Sequence, residues 1–294
     1  MKPKPPPEQH REALLRSLQA GLTRHRPAAG AMLAAHPEQF LLISWTHSFY
    51  GSYRDIRLDL PGIERLLATP EPSPIEKQEI DSLRRRLLRV WHLFGDSLPW
   101  LSHWVARRDL RVTLEEVLRY LLDADGVARG IRALLKEPLV AAWQADRPVL
   151  LMGHSLGSVI AYDALWELSH EDRVDGSVDW LVTLGSPLAT RFVRKRVKGA
   201  ARTGKQRYPG NIRRWLNCSA KGDMTALHPR LAPFFGHIVD LGLTEQLIDR
   251  TDIYNHFYAD FGLNPHKSYG YLAHAAVADV VGEWLETARS KPGG

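Results

Sequence analysis

Cysteine is nearly missing: Cys218 is the single one among 294 residues, which excludes any disulfide framework within the chain. That scarcity fits a reducing compartment, and the reading leans to the cytoplasm, although exported bacterial enzymes often lack disulfides too. No apolar run reaches the roughly 18 residues of a membrane span. The head, Met1-Lys2-Pro3-Lys4-Pro5-Pro6-Pro7, leads into a charged helical pattern and lacks the apolar core of a secretory signal. No internal repeat is visible. The basic stretch Arg191–Arg207 has no recognisable reading motif, so nucleic acid is not expected as a partner.

What is present is apolar bulk, 44% of the residues, enough for one large core. The chain reads as a single domain, 1–294, with a helical cap inserted at about 53–125. Net charge is +6 and unevenly placed: Arg191, Arg194, Lys195, Arg196, Lys198, Arg202, Lys205 and Arg207 succeed one another without an acid. Such a run reads first as a solvated, mobile loop, and second as a place for peripheral contact with an anionic membrane.

The most informative stretch is VLLMGHSLGSVIAYDALWEL, Val149–Leu168. An apolar strand runs to Met152, and Leu156, Ile160, Ala164 and Leu168 then recur at helical spacing. Between them Gly153-His154-Ser155-Leu156-Gly157 fits GxSxG, a sharp strand-to-helix turn that lifts a serine hydroxyl above a sheet. Gly153 and Gly157 are expected because such a strained turn leaves no room for side chains two residues to either side.

The rest of the chain supplies the setting. Glu8–Leu22 has the periodicity of an amphipathic helix, ended by Arg24–Gly30, and Gln39–Thr46 reads as a buried strand followed by the loop His47–Gly51. From Tyr53 to Trp143 the pattern is mainly helical, broken at Pro70–Pro74. Trp91, Trp100 and Trp104 in this part either hold the cap together or face an apolar substrate. Gly126–Trp143 reads as the crossover helix before the serine strand. Val178–Leu184 and Asn211–Cys218 read as further strands, and Ile238–Leu241 as a short one. An amphipathic helix through Leu272, Ala276, Val280 and Trp284 closes the chain. Strands alternating with helices predict an α/β fold with a mostly parallel central sheet flanked by helices.

A serine hydroxyl becomes a nucleophile when an imidazole takes its proton, and a carboxylate fixes that imidazole's tautomer and charge. Ser155, Asp223 and His266 occur in the order Ser, Asp, His. Asp223 follows an apolar strand and sits beside Gly222, unlike Asp240, Asp249, Asp252 and Asp260. His266 lies in a loop ahead of the last helix, whereas His274 lies in that helix. His256 is the other rival, His228 and His237 lie close to the acid, and His154 should point away from the substrate. Leu156 N–H, the amide after the nucleophile, is the expected oxyanion donor. This chemistry needs no metal and no organic cofactor.

Four stretches, GHSLGSVIAYDAL (Gly153–Leu165), LVTLGSPL (Leu181–Leu188), NIRRWLNCSAKGD (Asn211–Asp223) and HKSYGYL (His266–Leu272), resemble the α/β-hydrolase superfamily. Within it they are most similar to bacterial lipase-like or esterase-like serine hydrolases, over Val149 to about Trp284. The resemblance implies the α/β-hydrolase fold and hydrolysis of a small-molecule or lipid ester through an acyl-enzyme. It also implies a first sheet strand followed by a second oxyanion donor, and no such strand precedes the first helix here. Two expectations follow: either an upstream extension encodes the strand, or His47–Gly51 or the Lys2 and Lys4 amides serve instead. Without a second donor the alternative is a weak or inactive binding protein of the same fold. Acyl transfer to an alcohol other than water is a third reading.

Overall fold

The computed structural model describes residues 3–82, 117–123, 125–226, 228–259 and 262–289. Its centre is a parallel sheet of four strands in chain order, β1 (Leu150–His154), β2 (Val178–Leu184), β3 (Ile212–Ala220) and β4 (Gln246–Ile253). Helices cover both faces. A parallel sheet buried on both sides needs apolar residues at successive positions, and the register supplies two such rows. Leu151, Leu181, Trp215 and Leu247 lie side by side toward one core, and Met152, Val182, Leu216 and Ile248 toward the other.

The first core is closed by the crossover helix Val127–Gln144 and the helix Leu156–His170 that follows the serine. The second is closed by Pro7–His25, Pro27–Ala35, Leu60–Ala68, Ser268–Leu272 and Ala275–Arg289. Leu60–Ala68, early in the stretch read as a cap, thus packs Ile63 and Leu66 into the main body. Residues 74–82 are helical after the proline-rich break, opened by reciprocal bonds between Ser73 and Glu76 at 2.7 and 3.3 Å. Trp91, Trp100 and Trp104 lie outside the described residues.

Several expectations are corrected. Gln39–Thr46 is not a strand: residues 40–45 join no ladder, and the expected loop His47–Gly51 falls instead in a short helix, Thr46–Tyr50, capped by Gly51 at φ +68°. The run is apolar because it threads between the two cores, Phe40 and Leu42 packing on one, Ile43 and Trp45 on the other. Among the described residues β1 is therefore an edge strand. Arg24–Gly30 is only a brief break at Arg26 before a second helix. Ile238–Leu241 is not a strand but the end and cap of a short helix, His237–Asp240, and the fourth strand is the polar sequence QLIDRTDI that follows it. The last helix is split, with His274 outside its second part.

Nor is the basic stretch a loose loop. Val193 and Val197 are buried in the first core, and Trp166 Nε1 donates to Gln206 O at 2.9 Å. No helix among the described residues is long and apolar enough to cross a membrane.

Candidate active site

Parallel strands gather their loops at the carboxyl edge of a sheet, where ligands bind in α/β proteins. Three adjacent strands deliver the polar cluster to that edge. β1 runs directly into Ser155, which takes φ +55° and ψ −126° before the helix begins at Leu156. That conformation costs a non-glycine residue on the order of 1–3 kcal/mol and is held here by the surrounding packing. A Cβ on Gly153 would lie 2.6 Å from Ser158 Cα, so glycine is required there. At Gly157 the expectation fails: a Cβ would meet no described atom within 4 Å.

β3 ends at Ala220, and Gly222, at φ +77°, turns the chain so that Asp223 comes back under the edge. Asp223 Oδ2 accepts from His266 Nδ1 at 2.9 Å and from the Tyr271 hydroxyl at 2.6 Å, and Oδ1 accepts from Thr225 N–H at 2.8 Å. Burial pushes this carboxyl up, but the charge of His266 and the hydrogen bonds from His266, Tyr271 and Thr225 outweigh it and hold it below the ordinary carboxylate range. An ionised carboxylate only accepts, so Nδ1 of His266 carries a proton, and in the neutral imidazole Nε2 is the nitrogen with the lone pair. Nε2 faces the Thr225 hydroxyl at 3.2 Å.

The cluster is thus joined along one side. Asp223 and His266 are hydrogen-bonded; Ser155 Oγ, buried, has no hydrogen-bond partner among the described residues, so no bond links it to His266 here. His154 is the bridge between elbow and histidine loop. Its ring lies 4.6 Å from that of His266, and its Nε2 meets His266 O at 2.6 Å. The carbonyl can only accept, which places the His154 proton on Nε2. Burial, then the nearby charges of His266 and Lys4, hold His154 well below the ordinary imidazole range, so it stays neutral. It thus lies against the ring and the backbone of His266. Leu156, at the head of the helix, is buried with its amide in the first turn. Lys2 lies outside the described residues, and Lys4 O accepts from Arg54 N–H at 3.0 Å.

The rival residues are occupied elsewhere. His256 Nε2 meets Thr69 O, His274 Nδ1 accepts from Ala276 N–H, and His237 pairs with Asp240 at the surface. Asp249 accepts from Leu231 and Ala232 amides and from Asn217. Asp260 lies outside the described residues.

Four participants escaped the sequence reading. Tyr271 Oη accepts Ala220 N–H at 2.8 Å while donating to Asp223, and so ties the end of β3 to the helix after His266. Gly185, at φ +53° at the end of β2, leaves space that a Cβ would fill 2.6 Å from Asp223 Oδ2 and 3.1 Å from His266 Nδ1. Thr225 and Asn255 complete the set. Gly185 carried a visible signal, a glycine closing an apolar strand. The others are single polar residues whose roles depend on what the fold brings near them.

A second polar cluster lies halfway along the helix Leu156–His170, in a cleft of about 490 Å³. Glu167 there takes Arg132 at 2.7 Å and Lys136 and Lys198 at 3.0 Å. Asp163, one turn earlier, accepts from Tyr120 at 3.0 Å and from Lys198 N–H at 2.8 Å. These acids and the inner cations satisfy one another, which reads as an internal tie between the two covering helices and the basic stretch. Among the described residues no group of His, Cys, Asp and Glu has the arrangement of a metal site.

In comparisons with protein-family models, curated proteins and solved structures, no match to this chain was found. What stands is the class the fold defines: an α/β protein with a four-stranded parallel sheet flanked by helices.

Proposed function

We propose that the chain is a serine hydrolase of carboxylic esters, lipase-like or esterase-like, on an α/β-hydrolase fold. One observation carries the reading: a hydrogen-bonded His266–Asp223 pair is joined through His154 to the strained strand-to-helix turn of Ser155, whose hydroxyl has no hydrogen-bond partner among the described residues. In the reaction His266 Nε2 leaves Thr225 and takes the Ser155 proton as Oγ attacks the ester carbonyl. Leu156 N–H, the one oxyanion donor assigned, stabilises the charge that develops on oxygen. His266, now charged and steadied by Asp223, protonates the departing alcohol. Water then repeats the sequence on the acyl-enzyme and releases the acid.

The substrate class is a small-molecule or lipid ester, and the compartment proposed is the cytoplasm. Arg191, Lys195, Arg196, Arg202 and Lys205 are exposed along the folded basic stretch, which suits peripheral contact with an anionic membrane. The test is labelling by a fluorophosphonate probe with a panel of esters of graded acyl length. Ser155→Ala should abolish labelling and lower turnover by about 10⁴-fold or more; unchanged labelling would refute the assignment of the nucleophile. The second reading, a weak or inactive binding protein of this fold, draws on the Thr225 hydroxyl at His266 Nε2 and the closed-in Ser155. It predicts no labelling of the unaltered protein.

A further inference from the structure

We infer that Asn255 and His154 act as a clamp on the loop that carries His266, with Asn255 a positioning residue for the base. Three successive carbonyls of that loop are pinned from two sides. Asn255 Nδ2 donates to Pro265 O and to Lys267 O, both at 2.8 Å, and His154 Nε2 donates to His266 O between them, at 2.6 Å. Asn255 is fully buried two residues beyond β4, and its Oδ1 accepts from Phe257 N–H at 3.3 Å. Its seat is shaped for it: Gly270, in the helix after His266, has no room for a Cβ because the Asn255 amide occupies the space.

The physical consequence is a fixed distance between two groups that must stay in contact. The His266 side chain reaches Asp223 from a loop, and a loop whose carbonyls lost their buried donors would relax toward other partners. A displacement of the order of 1 Å at the base is enough to cost about 10²-fold in rate. β4, the fourth strand, thereby contributes to the site through Asn255 although it carries none of the three reacting residues. His154 ties the same loop to the nucleophile turn, so the serine and histidine segments are held to each other by the residue next to Ser155.

The catalytic consequence rests on the ester-hydrolase reading, but the clamp itself is tested without it. In protein labelled with ¹⁵N-histidine, the Nδ1–H of His266, bonded to Asp223, should give a downfield proton signal, assigned by its absence from His266→Gln. Asn255→Asp keeps shape and the Phe257 bond while removing the amide donors. It should lose or broaden that signal and lower the fluorophosphonate labelling rate about 10²-fold, with cooperative thermal unfolding retained. His154→Phe keeps a ring without a donor and should do the same to a smaller degree, and it decides the matter if Asn255→Asp does not fold. An unchanged signal in either folded variant would overturn the clamp. Unlabelled but folded wild type with an intact signal would sink the hydrolase reading alone.

Discussion

Asp223 and Asp163 are buried to nearly the same extent, 4% and 3% exposed, yet the fold shifts them in opposite directions. Asp223, at the sheet edge, receives three hydrogen bonds, one of them from an imidazole that can become a cation, and is held ionised. Asp163, in the middle of the helix Leu156–His170, receives two neutral donors, and burial pushes it up to about 7. The cations beside it, Arg132 and Lys198, make their ion pairs with Glu167 one turn further on. Burial alone therefore does not set the charge of a carboxyl group; the identity of its partners does. The acid held low stands against His266, and the acid pushed up stands where two helices are tied together.

The sharpest way to break the contrast is Asp223→Asn, which turns the ionised acid neutral without changing its shape. The amide would offer a donor toward His266 Nδ1 and favour the wrong tautomer. Ester turnover should fall about 10⁴-fold, and the thermal midpoint at neutral pH should drop with the lost support of the carboxylate, as steady-state kinetics and calorimetry would show.

Next is the pH dependence of stability, in which the two acids pull in opposite directions. Asp223, lowered in the folded state, supports the fold above the ordinary carboxylate pKa and loses that support as pH falls through its folded value. Asp163, raised to about 7, keeps a proton that the unfolded chain gives up near pH ~4, so its contribution declines as pH rises through that interval. Asp163→Asn should remove a decline on the order of 4 kcal/mol between those limits. Urea denaturation from pH 4 to 7.5 would show a flatter curve on its low-to-neutral limb, and an unaltered slope would mean that Asp163 is ionised throughout.

The smallest effect concerns Thr225, whose 3.2 Å bond engages the lone pair that Ser155 needs. Thr225→Val frees His266 Nε2 and keeps the side-chain shape. A neutral hydrogen bond is worth about 0.5–1.5 kcal/mol net, so fluorophosphonate labelling should quicken by no more than about 10-fold. A slower rate would instead give Thr225 a supporting role in orienting the base.

Much of the fold was legible because apolar periodicity is a local signal. Val178–Leu184 stands in the structure with the bounds its apolar run suggested, and the helix after Ser155 follows its 3.6-residue pattern. The failures come from segments whose apolar residues serve something other than a ladder. Phe40, Leu42, Ile43 and Trp45 look like a strand but divide between two cores. Gln246–Ile253 does not look like one, because it pairs with β3 alone among the described residues and its first seven residues are half-buried or exposed. At the candidate site, chain order and loop position singled out Ser155, Asp223 and His266. They gave no hint that His154 lies against His266, that Thr225 meets its Nε2, or that Asn255 holds its loop.

The sequence by itself determined the strand-turn-helix at Ser155, the parallel α/β class, and an acid and a histidine in loops beyond later strands. Each of those follows from neighbours within a few residues or from the order of elements along the chain. Only the tertiary structure decided which hydrogen bonds close. Asp223 meets Tyr271 across 48 positions, and His154 meets His266 across 112. Such pairings depend on the register of one strand against the next and on which buried donors remain unused once the sheet has formed. That is information no local pattern contains.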